Sequence, residues 1–252
     1  MTGPPPIAEP FDRAARRRQR ARASGSADFL RAAIADDLRA RIAALERHFG
    51  AVLDIGGSGI AGDLTVALDP SLRVVARAQC GVAADEDRLP FADASFDLIA
   101  SAAALHGVND LPGALIQARR ALRTGGVFVA GFFGGASLSE LRADLLAAES
   151  DLTGRAAGRI SPMVDTEMAA GLLQRAGFAD PVAEIDTLTV RYDDLFALLR
   201  DLRAMGEGNI LRSRVPLRRD VLTDTARRFG ERADTGRIAV TVQVIYLTGH
   251  TR

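Results

Sequence analysis

The chain has 252 residues, 48% of them hydrophobic and 25% charged, with 32 basic against 32 acidic side chains. That size suits one large α/β domain or a core with a smaller appendage. A net charge of zero gives no whole-molecule attraction to nucleic acid or an anionic membrane. Every basic residue is arginine, which excludes lysine Schiff-base chemistry and a phosphate-loop NTPase. The single Cys80 excludes an intramolecular disulfide, and three scattered histidines offer no metal-ligand spacing. A lone thiol fits a reducing cytoplasm, the expected location.

No apolar run reaches the ~20 residues of a membrane-spanning helix. Residues 1–10 are proline-rich, lack the layout of a secretory signal, and read as a disordered lead-in. Phe11 to Ala23 carries Arg13, Arg16, Arg17, Arg18, Arg20 and Arg22. With no interleaved aromatics it reads first as a helix with a solvated arginine face. A phosphate or nucleic-acid patch, or a lid helix whose arginines meet an acidic partner, are the alternatives. Ser26 or Asp28 can cap the next helix, whose apolar stripe runs from Phe29 through Leu38 and Leu45 to Phe49, and Gly50 ends it. Residues 11–49 are thus expected to be N-terminal helices.

Ala51–Ile55 is a buried strand, broken by Gly56, Gly57, Ser58 and Gly59. Glycines allow positive φ and close approach of a ligand, and a helix is expected to start beyond them, with free N–H groups facing that ligand. Asp54, beside the turn, can orient loop amides or a ligand. Leu64, Val66 and Leu68 lead to a stop at Asp69-Pro70, and Leu72–Ala78 is predicted as the second strand. Gly81–Ala84, Phe96–Ser101 and Val127–Phe133 are further strands, with a helix from Asp110 to Leu122 between the last two. Helices are predicted over 138–152, 165–176, 195–205 and 220–229, and strands over 188–192 and 238–247. Strands separated by helices imply a doubly wound, mainly parallel α/β sheet, with an antiparallel final strand.

The stretch ADEDRLPFADASFDLIASAAALHGVND followed by ALRTGGVFV resembles the middle of class I S-adenosylmethionine-dependent methyltransferases. That resemblance implies a Rossmann-like seven-stranded sheet with strands six and seven as a hairpin. The core would be 50–135 and the helical cap and closing strands 136–252. The flanks FDRAARRRQRARA, SELRADLLAAE, RISPM, LLQRAGF, TVRYDDLFALLRDLRAMGEGN and PLRRD resemble one branch. It holds the biotin-pathway carrier-protein methyltransferase and, closer, the mitochondrial respiratory complex I assembly factor 5. This implies S-adenosyl-L-methionine as cofactor and a protein client, a subunit of NADH dehydrogenase. Arginine hydroxylation, attributed to that branch, is the alternative to methyl transfer.

Carried over residue by residue, the cofactor set is Asp54, Gly56, Gly57, Ser58 and Gly59 in the first motif, Asp85 with Asp87 as second candidate on the adenine side, and Ser101 after the fourth strand. Ser58 and Ile60 stand where the family has glycines. The acidic residue that closes strand two is missing from RVVARAQC, leaving Gln79 or the main chain to compensate. His106, just beyond strand four, is the first candidate for a catalytic base or else positions its loop. Tyr192 and Arg200 are weaker acceptor-side candidates, better read as a packed Tyr and a surface Arg; Asp97 is read as structural. Gly57 to Gly62 also fits the dinucleotide fingerprint, with Arg77 then receiving an NADP 2′-phosphate. A third reading is a non-catalytic binding module that holds a client.

Overall fold

The structure, a computed structural model, describes residues 9–24, 28–60 and 62–252. The lead-in through residue 8, the Ser26 cap and Ala61 of the glycine turn lie outside the described residues.

Seven strands form one sheet in the order β3-β2-β1-β4-β5-β7-β6. They are β1 (Ala51–Ile55), β2 (Leu64–Asp69), β3 (Gly81–Ala83), β4 (Phe96–Ala102), β5 (Leu122–Gly134), β6 (Ala179–Tyr192) and β7 (Ile238–His250). The first five run parallel. β7 enters antiparallel between β5 and β6, so the last two strands are the expected hairpin. The helices are α1 (Arg13–Arg22), α2 (Phe29–Ala43), the single turn α3 (Leu72–Val75), α4 (Leu111–Ala121), α5 (Ser139–Thr153), α6 (Thr166–Ala176), α7 (Leu195–Met205) and α8 (Arg219–Glu231).

Alternation along the strands decides which layer each side chain joins. Leu53, Ile55, Ile99 and Phe128 pack with Leu115 of α4 and Leu173 of α6 on one face. Val52, Leu98 and Val129 pack with Ile34 and Leu38 of α2 on the other. A third cluster, with Leu141 (α5), Leu195 and Leu198 (α7), Phe229 (α8) and Val240 (β7), builds a helical cap over the hairpin end. Asp110, Asp165 and Asp194 cap α4, α6 and α7 by accepting from Gly113, Met168 and Ala197 amides. α2 stops at Ala43, short of Gly50, because the chain turns through Glu46 at φ 48°. Asp28 sits at its N-cap position but spends its carboxylate on Arg31, 3.3 Å away.

Two expectations fail around the glycine turn. Among the described residues no helix lies between β1 and the parallel β2, which begins at Leu64. A parallel pair normally needs a longer crossover, usually helical. Here α2 and Ile60 cover the face that a crossover helix would have covered. Consequently the second strand is 64–69, not 72–78, and Leu72–Val75 is the helical turn α3 after Pro70.

Candidate active site

The strands end at a common carboxyl edge, where open α/β sheets bind their ligands. β1 delivers Asp54, 2% exposed, whose oxygens accept from the Ser58 hydroxyl (2.7 Å) and the Gly59 amide (2.8 Å). Burial raises the Asp54 pKa above the ordinary aspartate value against those donors, which pull it down. Asp54 therefore fastens the loop rather than facing a ligand. Gly56 takes φ 97°, and a Cβ there would meet Ala104 and the Ala102 carbonyl at about 3 Å, so only glycine fits.

The register shift of β2 moves a carboxylate to this edge. Asp69 ends β2 and is fully buried. With strand two at 64–69 instead of 72–78, Asp69 is the acidic residue that closes it. One of its oxygens accepts from the Ser71 amide and the other from Arg20, at 3.0 Å from Nε and 2.5 Å from Nη2. Arg77 is exposed beyond α3 rather than at the end of strand two. A carboxylate at that end repels a 2′-phosphate, and the helix required by the dinucleotide fingerprint is absent among the described residues. Both supports of the NADP reading fail. Gln79 is exposed and holds nothing here.

Arginines of α1 meet this edge on one helical face, at positions 13, 16, 17 and 20. Arg13 holds both oxygens of Asp87 at 2.6 and 2.7 Å. Arg16 holds both oxygens of Glu86 at 2.7 Å and donates to the Ala104 carbonyl. Arg17 reaches Asp85 at 2.8 Å. The solvated-face reading is thereby corrected: Arg16 and Arg20 are buried, and the α1 arginines meet acidic side chains of this same chain. Burial would raise Asp87, but Arg13 holds it below the ordinary aspartate value. At Glu86, deeper than either neighbour, burial prevails over Arg16 and the carboxyl is raised. Asp87 also accepts from the Asp110 amide at 3.3 Å, tying the acidic loop to α4. Arg31 of α2 donates to the carbonyls of Gly56, Ala102 and Ala103 at 3.3–3.4 Å.

Beyond β4 the geometry changes. Ser101 is fully buried, and its hydroxyl has no partner among the described residues. His106 lies on the single 3-10 turn Leu105–Gly107, its ring 5.0 Å from Phe133. Its Nε2 is 2.8 Å from Glu207, which follows α7, and its Nδ1 is buried without a partner among the described residues. Burial would raise Glu207; His106, with Arg20 and Arg16, holds it below the ordinary glutamate value. Nε2 and the ionised Glu207 meet at hydrogen-bond distance, so Nε2 is the ring nitrogen that donates, an assignment inferred from this contact.

Tyr192 is buried beside Asp201, Arg200 is exposed, and Asp97 accepts from the Ala51 amide at 2.8 Å and pairs with Arg123 at 3.0 Å. None of the three joins the site. Asp69, Glu86, Glu207, Arg16, Arg20 and Arg31 join it without having been singled out as site residues.

The strand order, the glycine turn and the acids closing β2 and following β3 define the class I S-adenosyl-L-methionine-dependent methyltransferase fold. A family described as a methyltransferase domain matches residues 56–130. The YcgJ protein of Bacillus subtilis superposes with a TM-score of 0.60 at 16% identity, over 86% of this chain and 98% of that one, which supports the fold alone. The Danio rerio protein "Arginine-hydroxylase NDUFAF5, mitochondrial" is 34% identical over 95% of this chain and 82% of its own length. Its Homo sapiens counterpart is 40% identical over 67% of this chain, but only 50% of its own length is spanned. The chain belongs to the NDUFAF5 family of methyltransferase-fold proteins.

Proposed function

We propose that the chain binds S-adenosyl-L-methionine at the carboxyl edge and methylates an acceptor beside His106. The observation that carries this reading is the buried, unpartnered Ser101 hydroxyl at the end of β4, set between the Asp54-fastened loop and the His106–Glu207 pair. Such an orphan buried group needs a partner that the chain does not supply among its described residues, and this reading assigns that partner to the ligand. The residues fit the cofactor by type. Asp69 suits the ribose hydroxyls, Arg31 the amino-acid carboxylate, and the loop through Gly56–Gly59 the close main-chain approach; Asp85 remains the adenine-side candidate.

The bound cofactor supplies an electrophilic methyl group for in-line displacement. Catalysis then comes largely from placing the acceptor correctly. Glu207 orients the His106 ring, the side chain of this site proposed to take the acceptor's proton.

Asp69 is already paired, so cofactor entry is an exchange. Two hydrogen bonds to a charged group are worth about 1.5–3 kcal/mol each, against about 3–5 kcal/mol for breaking a buried ion pair. The terms nearly cancel, and Arg20 lowers affinity unless it finds a new partner. Calorimetry with S-adenosylhomocysteine and NADPH tests this: the reading expects saturable one-to-one binding of the former only. Loss of that binding in Asp69→Asn locates it; an unchanged isotherm there refutes the assignment.

The partner in this proposal is a protein client, a subunit of NADH dehydrogenase, and the setting is the cytoplasm. Among the described residues no helix is long and apolar enough to cross a membrane. A second reading, arginine hydroxylation without methyl transfer, is favoured by the family relationship across 95% of the chain. Mass spectrometry of a co-expressed client separates the two, by a methyl increment or an oxygen increment. A non-catalytic module predicts neither, and also predicts full cellular function in an Asp54→Ala, Asp85→Ala double variant.

A further inference from the structure

Two adjacent stripes run along α7. Leu195, Leu199 and Leu202 recur at four- and three-residue steps and line a chiefly aliphatic cavity of about 440 Å3 between the sheet and the helical cap. One position further round the helix, Phe196, Arg200 and Arg203 recur at the same steps, and all three are exposed. Arg203 belongs to both surfaces, since it also lines the cavity. Val215 and Leu217, from the segment before α8, line the cavity too, yet stay 55% and 39% exposed. The cavity therefore reaches the surface at Arg203, Val215 and Leu217, beside the outer stripe.

The charges at this mouth say what complements it. Among the cavity's charged side chains, Arg159 is paired with Glu149, Arg214 with Asp12 and Glu207 with His106. Arg203 pairs with no carboxylate among the described residues, and neither does Arg200. Like charges at neighbouring positions on one helix face repel, and a carboxylate lying across both would reverse that. The outer stripe is also too long for a small molecule that fills the cavity. From Phe196 to Arg203 it extends about 10 Å at 1.5 Å per residue, the reach of about three extended residues. We propose that the cavity mouth and the outer stripe of α7 dock an acidic, aliphatic segment of the protein client, one apolar side chain entering the cavity and a neighbouring carboxylate reaching Arg203 and Arg200. The inference rests on the protein-client reading above and concerns residues flanking the acceptor. An acceptor guanidinium beside Glu207 is compatible with it.

Selection from a phage-displayed library of random dodecapeptides on the full chain provides the test, followed by fluorescence anisotropy with the recovered peptide. Selection is expected to enrich aspartate or glutamate beside leucine, isoleucine or valine. Replacing the acids of that peptide by lysine, or its aliphatic residue by serine, should weaken binding at least roughly tenfold. Arg200→Glu with Arg203→Glu alters exposed side chains only, and should turn the selected charge from acidic to basic. Leu199→Trp, filling the cavity from α7, should remove the aliphatic preference and keep the acidic one. Mass spectrometry of the co-expressed client keeps the two readings apart. A modified client with no peptide consensus removes the docking surface alone; a consensus of the expected kind with an unmodified client leaves the surface and removes the enzymatic reading. A basic or uncharged consensus, or an acidic one indifferent to the arginine reversal, overturns the proposal.

Discussion

The carboxyl edge at β2 and β3 and the cavity beyond β4 solve opposite problems. At the edge, Asp69, Glu86 and Asp87 each face an arginine from α1, and Asp54 is consumed by its own loop. In the cavity the walls are chiefly aliphatic, and the buried Nδ1 of His106 beside it has no partner among the described residues. In the first region every one of these carboxylates is engaged, though Arg13 Nε and the Ser71 hydroxyl lack partners among the described residues, so a ligand that uses the acids binds by exchange. The second is chiefly apolar and includes Arg203, which pairs with no carboxylate among the described residues, so a ligand binds there by addition. The difference teaches that charge density alone does not mark a vacant site; what matters is which polar atoms lack partners.

The comparison breaks most visibly at Arg20. It is 6% exposed, and burial, which lowers its pKa, is outweighed by Asp69, so the guanidinium stays charged. Asp69→Ala strands that charge and should cost about 3–5 kcal/mol in chemical denaturation. Arg20→Met with Asp69→Leu should restore most of that stability, because an apolar pair of similar volume replaces the ion pair. Should the single variant be as stable as the parent, Arg20 and Asp69 are not paired in solution.

Arg20→Gln tests the exchange from the ligand's side. Freeing Asp69 should tighten S-adenosylhomocysteine binding by at least roughly tenfold, because the cost of breaking the buried ion pair is removed. Weaker binding would mean that Arg20 assists the cofactor rather than competing with it.

A smaller effect is expected on acid titration. The Glu207 pKa is lower in the fold than in the open chain, so its stabilisation is present above the ordinary glutamate value. It is lost as the pH falls through the folded value. Glu207→Gln should therefore flatten the acid limb of the stability profile, and an unchanged limb would dissolve the Glu207–His106 pair. Smallest is the alkaline limb. Burial, aided by Asp201, pushes Tyr192 up to about 12, and burial with Asp37 and Asp186 does the same for Tyr246. Their neutral phenols stabilise the fold below the ordinary value of 10.0, and this is lost as the pH rises toward 12. Ultraviolet titration should show no tyrosinate step near 10.

Much of the fold was legible as hydrophobic period. Ala51–Ile55, Phe96–Ser101 and Val127–Phe133 are apolar runs because helices cover both faces, and the β-branched run from Ile238 predicted the final strand. The error at β2 was one of punctuation. Leu64, Val66 and Leu68 already alternate at the period of a strand, and Asp69-Pro70 marks the end of strand two, not a stop before it. That slip hid Asp69 and supplied the NADP reading with Arg77. The arginine clasp was readable in part, since positions 13, 16, 17 and 20 share a helical face and the acids after β3 cluster. Glu207 was not, because it lies 101 residues from His106 and only the packing of α7 brings them together.

The most direct test of the cofactor assignment is calorimetric titration of the intact chain with S-adenosylhomocysteine, repeated on Asp69→Asn and Arg20→Gln. The account predicts one site, lost in the first variant and tightened in the second. No binding to the parent or to Arg20→Gln, or binding indifferent to Asp69, would contradict it.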